Sequence, residues 1–133
     1  MKRIIVIDGQ GGNIGKQLVK RIREELPDAY IRAVGTNSTA TGNMLKAGAD
    51  EAATGENAVS VAAKQADIIT GPLGIIVPDA LLGEVTANMA KAVSDSKAIK
   101  VLIPMNKCDI IIASVKDKSI SELIEAAIKQ IML

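Results

Sequence analysis

Four glycines lie within seven residues near the start of the chain. The apolar run 4–7 precedes this segment, and apolar residues at helical spacing follow it. Glycines in a strand-to-helix turn let backbone N–H groups approach a phosphate closely, and the helix N-terminus adds partial positive charge. The pattern therefore predicts a phosphate-binding turn made of Gly9, Gln10, Gly11, Gly12, Asn13, Ile14 and Gly15.

Lys16 follows the last glycine and would add positive charge beside a bound anion. The pair Gly15-Lys16 also resembles the end of a P-loop. That motif, however, requires glycine at position 10 and a hydroxyl residue at position 17, where this chain has Gln10 and Gln17. A glycine-rich turn needed only for close packing of the helix on the strand remains an alternative.

Polar residues that follow two later strands are further candidates for ligand binding. Thr36 and Asn37 follow the second predicted strand, where dinucleotide-binding domains carry the acid that binds the ribose. Their side chains would suit a ribose or a 2′-phosphate. Glu56 and Asn57 follow the third strand and are candidates for adenine or ribose, although Asn57 would equally serve as a helix cap.

The chain lacks residues that are common in acid–base and metal chemistry. It has no histidine, and its one cysteine is Cys108, which we expect to be a small buried side chain. The Tyr-x-x-x-Lys pair of dehydrogenases is also missing, since Val34 lies four residues after Tyr30. We assign no catalytic residue and predict no metal site. Asp8 is expected to accept hydrogen bonds from the glycine turn.

The composition indicates one globular domain over residues 1–133, with 48% apolar and 1% aromatic residues. The near absence of aromatic residues and a net charge of +1 argue against binding to nucleic acid. No apolar run approaches the roughly 20 residues that span a membrane. No signal-peptide pattern precedes the first strand, so we expect a cytoplasmic protein without membrane contact.

Strands and helices alternate in the predicted structure. Apolar runs predict strands at 4–7, 30–34, 51–54, 67–70, 100–103 and 110–115, and periodic patterns predict helices at 14–26, 41–47, 57–65, 78–95 and 120–131. The alternation favours a three-layer, Rossmann-like, doubly wound α/β fold with a mostly parallel sheet in the order 3-2-1-4-5-6. The expected ligand crevice lies beyond strands one and four, between the glycine turn and Gly71-Pro72.

Six short motifs span the chain: Ile7-Asp8-Gly9-Gln10-Gly11-Gly12, Gly35-Thr36-Asn37, Lys46-Ala47-Gly48-Ala49-Asp50, Thr54-Gly55-Glu56-Asn57-Ala58, Gly71-Pro72-Leu73-Gly74-Ile75 and Ile103-Pro104. On these motifs the chain resembles a family of small prokaryotic proteins classed as domain of unknown function 3842. The resemblance implies a Rossmann-like fold and no particular activity. The glycine turn alone also resembles, more loosely, the fingerprint of atypical short-chain dehydrogenase-like NAD(P)-binding proteins.

These observations favour a nucleotide- or dinucleotide-binding module, such as a sensor or regulatory subunit. Its ligand would be a phosphate-bearing small molecule, either NAD(P) or another nucleotide. A small NAD(P)-dependent or nucleotide-processing enzyme whose site is completed by an oligomer stays open, as does an interaction or scaffold domain without ligand. The short chain and the apolar run 110–112 predict a homo-oligomer.

Overall fold

The structure is a computed structural model that describes residues 2–105, 110–113 and 118–133. Within these residues, strands and helices alternate as expected, and every strand pairing is parallel. The elements are β1 (Arg3–Asp8), α1 (Asn13–Glu25), β2 (Tyr30–Gly35), α2 (Ser38–Lys46), β3 (Glu51–Thr54), α3 (Glu56–Gln65), β4 (Ile68–Pro72), a 3-10 turn (Leu73–Ile76), α4 (Ala87–Asp95), β5 (Ile99–Ile103) and α5 (Ile120–Ile131).

The strand β1 lies at the centre of the sheet, whose order is β3-β2-β1-β4-β5. Its residues are buried from Ile4 onward because helices cover both faces. Ile4 and Val6 belong to a core beneath α1, α2 and α5, whereas Ile5 and Ile7 belong to a core beneath α3 and α4. The three-layer, doubly wound architecture and the central position of the first strand are therefore confirmed.

The predicted sixth strand at 110–115 is wrong. Residues 110–113 form no strand, and positions 114 and 115 lie outside the described residues. The described sheet consequently ends at β5, in the order 3-2-1-4-5 rather than 3-2-1-4-5-6. The three isoleucines at 110–112 favour a strand, but isoleucine stabilises a strand only where its side chain packs against neighbouring strands. Ile111 is exposed, so this packing is absent at its position.

The predicted helix at 78–95 is correct only in its second half, because α4 begins at Ala87. Residues 77–86 form a loop, called the 77–86 loop below, in which Asp79, Leu81, Leu82 and Gly83 have positive φ. The loop is closed by a hydrogen bond from the Asp79 N–H to the Val85 carbonyl, at 2.7 Å. This loop runs over the edge of the sheet where the glycine turn lies.

No helix in the described part of the chain is long and apolar enough to cross a membrane.

Candidate functional site

The glycine turn connects β1 to α1 at the carboxyl edge of the sheet. The N–H of Gly12 donates to the carbonyl of Gly9 at 2.8 Å, which closes the turn. Gly12 has a left-handed backbone, with φ of 72°, and a Cβ atom there would lie 2.9 Å from Cα of Ala40 in α2. Glycine at position 12 is therefore required by the backbone and by packing, independently of any ligand.

The carboxylate of Asp8 connects the two ends of the turn through hydrogen bonds. It is buried and accepts hydrogen bonds from the N–H groups of Gly9, at 2.8 Å, and Gly15, at 2.7 Å. The expectation that Asp8 accepts hydrogen bonds from the turn is thus confirmed. Burial raises the pKa of Asp8, while the bonds from Gly15 and Gly9 oppose the rise. These two N–H groups are consequently occupied within the protein.

Glu84, in the 77–86 loop, also accepts a hydrogen bond from the turn. Its Oε1 atom accepts hydrogen bonds from the Gln10 N–H at 2.8 Å, the Thr36 hydroxyl at 2.6 Å and the Asn37 side-chain amide at 2.8 Å. The bond from Thr36 is the main cause that lowers the pKa of Glu84. Glu84 is not among the residues predicted from the sequence, because its partners lie far away along the chain and its segment has a helical pattern.

The N–H groups of Gly11 and Asn13 have no acceptor among the described residues. Both residues are exposed, and Asn13 is the first residue of α1, where the helix dipole is positive. They border a cavity of about 220 Å³. The cavity is lined by residues 8–14 on one side and by Pro72, Leu81, Met105 and Ile120 on the other.

The structure thus brings most of the predicted turn to one cavity. Residues 9–14 line it with Pro72, and Gly71 precedes Pro72 at the end of β4. Gly15 lies in the first turn of α1, where its N–H is taken by Asp8. Thr36 and Asn37 contact Glu84 and therefore lie at the β2 side of the same turn.

Three other candidates lie elsewhere on the surface. Lys16 lines a separate depression of about 420 Å³ between α1 and α2, together with Lys20 and Lys46. Glu56 and Asn57 line a groove of about 480 Å³ between α3 and α4. Glu56 accepts a hydrogen bond from the Thr86 hydroxyl at 2.5 Å, and the cap position of α3 is Gly55 rather than Asn57.

Cys108 lies outside the described residues. Within the part of the chain that is described, no group of three or more His, Cys, Asp or Glu residues is arranged to hold a metal ion.

A parallel sheet with helices on both faces, and a glycine turn after the central strand, defines a Rossmann-like α/β domain. The chain belongs to the family described as "domain of unknown function (DUF3842)", whose model matches residues 3–133. No curated protein matches the sequence significantly.

A solved structure with a similar fold is a dodecameric, FMN-dependent UbiX-like decarboxylase from Escherichia coli O157:H7. The two structures have a TM-score of 0.54 and 14% sequence identity, over 98% of this chain and 95% of that chain. At this level of identity the similarity shows the fold alone.

Proposed function

We propose that the protein is a nucleotide-binding module that holds the phosphate of its ligand at the glycine turn and the N-terminus of α1. The observation that carries the proposal is the pair of N–H groups of Gly11 and Asn13, which have no acceptor among the described residues and border the cavity. Backbone donors at the positive end of a helix favour an anion.

The size of the cavity favours a small ligand or a shared site. Pockets that enclose a whole cofactor usually measure roughly 300–1,000 Å³, and this cavity measures about 220 Å³. It suits the phosphate group of a ligand. The rest of the ligand would extend over the surface or against a second copy of the chain.

The similar solved structure suggests which ligand to test first and suggests an oligomeric state. That protein is described as FMN-dependent and dodecameric, and FMN is a mononucleotide with one phosphate. FMN and the dinucleotides NAD and NADP are therefore the first ligands to examine. We also propose that this chain forms a homo-oligomer.

Thermal unfolding with FMN, FAD, NAD, NADP, ATP and GTP tests the proposal. A ligand at 100 times its Kd adds about 2.7 kcal/mol to the free energy of unfolding, which gives a clear rise in Tm. We expect at least one of these nucleotides to stabilise the wild-type protein, and the absence of any such effect would contradict the proposal.

Gly11→Val locates the binding site. A Cβ atom on Gly11 meets no heavy atom within 4 Å, so the variant is expected to fold while its side chain obstructs the cavity. Gly42→Val, in α2, is the matched control because a Cβ atom on Gly42 is equally unobstructed. Binding should weaken about tenfold or more in Gly11→Val and stay unchanged in Gly42→Val. Equal affinity in both variants would place the ligand elsewhere.

A further inference from the structure

The end of β2 lacks the acid that Rossmann-like domains place there to bind ribose hydroxyls. This strand ends at Gly35, and Thr36 and Asn37 follow. Both of these residues donate hydrogen bonds to one atom, Oε1 of Glu84. A carboxylate therefore does lie beside the end of β2, and it comes from the 77–86 loop.

The two oxygens of this carboxylate are in different situations. Oε1 accepts three hydrogen bonds, since the Gln10 N–H also donates to it. Oε2 accepts no hydrogen bond from the described residues. It is also accessible to solvent, because the only fully buried polar side-chain atom without a partner in this part of the chain is the hydroxyl oxygen of Thr70. An ionised carboxylate oxygen accepts more than one hydrogen bond, as Oε1 does here. Oε2 can therefore accept hydrogen bonds from two donors of a ligand.

The surrounding backbone is shaped to hold Glu84 in this place. Leu81, Leu82 and Gly83 precede it with φ of 56°, 58° and 91°. Left-handed conformations are unfavourable for leucine and persist where the surrounding structure imposes them. On the other side, a Cβ atom on Gly9 would lie 2.5 Å from the Thr36 hydroxyl and 3.0 Å from Oε1 of Glu84. Glycine at position 9 thus makes room for this arrangement.

We infer that Glu84 is a specificity-determining residue, and that its Oε2 atom binds the vicinal hydroxyls of a ribose. This inference rests on the proposed function, because the phosphate of the same nucleotide would lie at the glycine turn. The ligand class is then a nucleotide with an unmodified ribose. A 2′-phosphate would place negative charge beside an ionised carboxylate and is excluded. Thr36 and Asn37 act through Glu84 by positioning it.

Calorimetric titrations with four probes test the inference. AMP, 2′-deoxy-AMP and adenosine 2′,5′-bisphosphate differ only at the 2′ position, and pyrophosphate carries phosphate alone. We expect the wild-type protein to bind AMP about tenfold more tightly than 2′-deoxy-AMP, as for a lost hydrogen bond to a charged group. The bisphosphate should bind more weakly than AMP by at least as much.

Glu84→Gln keeps an oxygen that can accept the three hydrogen bonds and removes the charge. The preference for AMP over both analogues should fall toward one in this variant, with pyrophosphate affinity no weaker than in the wild type. Asp79→Asn is the matched control because Asp79 is an exposed acid of the same loop, and asparagine tolerates its φ of 66°. This control should keep the wild-type preference, and the Tm of each variant reports its folding.

The results separate the inference from the proposed function. Binding of pyrophosphate and AMP with no preference between AMP and 2′-deoxy-AMP would overturn the role of Glu84 and leave the phosphate site standing. A uniform gain in affinity for all four probes in Glu84→Gln would also overturn it, since the carboxylate would then only repel anions. Failure of every probe to bind the wild-type protein would overturn both.

Discussion

Asp8 and Glu84 both accept hydrogen bonds from backbone N–H groups of the glycine turn, yet their carboxyl groups respond to the fold in opposite ways. Burial raises the pKa of Asp8. Glu84 is only partly buried, and the hydrogen bond from Thr36 lowers its pKa. The fold therefore favours the ionised form of Glu84 and disfavours that of Asp8, so proton binding to these two residues has opposite effects on stability.

We expect the stability lost in Glu84→Gln to depend on pH. The pKa of Glu84 in the folded protein is below its ordinary value of 4.5. The ionised side chain therefore contributes fully to the free energy of unfolding above that pH, and this contribution is lost as the pH falls through the folded pKa. The difference in free energy of unfolding between wild type and variant should thus be largest near neutral pH and shrink as the pH falls below 4.5. Urea unfolding across this range measures it.

The contribution of Asp8 runs in the other direction with pH. Since its folded pKa is above 3.8, the contribution is present below that value and is lost as pH rises through the folded pKa. Asp8 is present in both wild type and Glu84→Gln, but the charge of Glu84 is one of the lesser causes that raise the pKa of Asp8, so this rise is smaller in the variant. A difference that stays constant with pH would show that the Glu84 carboxylate is not held by Thr36 as described.

Two neighbouring glycines should differ in their tolerance of alanine. Gly12→Ala places a side chain at a positive φ and against Ala40, and we expect it to lower the free energy of unfolding by about 1–3 kcal/mol. Gly11→Ala meets no neighbour and should change it by less than about 0.5 kcal/mol. Urea unfolding without ligand measures both, and equal losses would contradict the geometry of the turn.

At the scale of elements, the sequence was most informative where the determining interactions are local. The residues Ser119-Ile120-Ser121-Glu122 have the local pattern of a capping box, and both hydrogen bonds of this box are present at the start of α5. The 77–86 loop was predicted to be helical because its left-handed turns have no local pattern in the sequence. The glycine turn was predicted because its pattern is local. Glu84 was not, because its hydrogen bond with Gln10 joins residues that are 74 positions apart.

The capping box offers a direct test of this local contribution. Ser119 accepts a hydrogen bond from the Glu122 N–H at 3.1 Å, and the Glu122 carboxylate accepts one from the Ser119 N–H at 3.1 Å. Ser119→Ala should lower the free energy of unfolding by about 1 kcal/mol. Ser121→Ala, at an exposed position in the same first turn, should change it little. Thermal unfolding that shows equal losses would argue against a capping role for Ser119.

At the scale of the whole molecule, the sheet order was predicted correctly from β3 to β5, because apolar runs and right-handed crossovers restrict the topology. The position of β5 at the edge was not predicted correctly, because a sixth strand was expected beside it. Whether a segment forms an edge strand depends on the neighbouring strand with which it pairs, and the sequence of the segment does not show that neighbour. In the described sheet β5 is an edge strand, and an edge presents unpaired N–H and carbonyl groups. Ile99 at its start is 69% exposed.

This exposed edge leads to a prediction about assembly. We expect the protein to sediment as a dimer or larger oligomer at concentrations on the order of tens of micromolar, and Ile99→Lys to shift it toward monomer, because a charge on an edge strand opposes its pairing with another chain. Val61→Lys, at an exposed apolar position of α3, is the control and should leave the oligomer unchanged. A monomeric wild-type protein would contradict the proposed homo-oligomer, whereas an oligomer that Ile99→Lys does not weaken would place the contact on another surface.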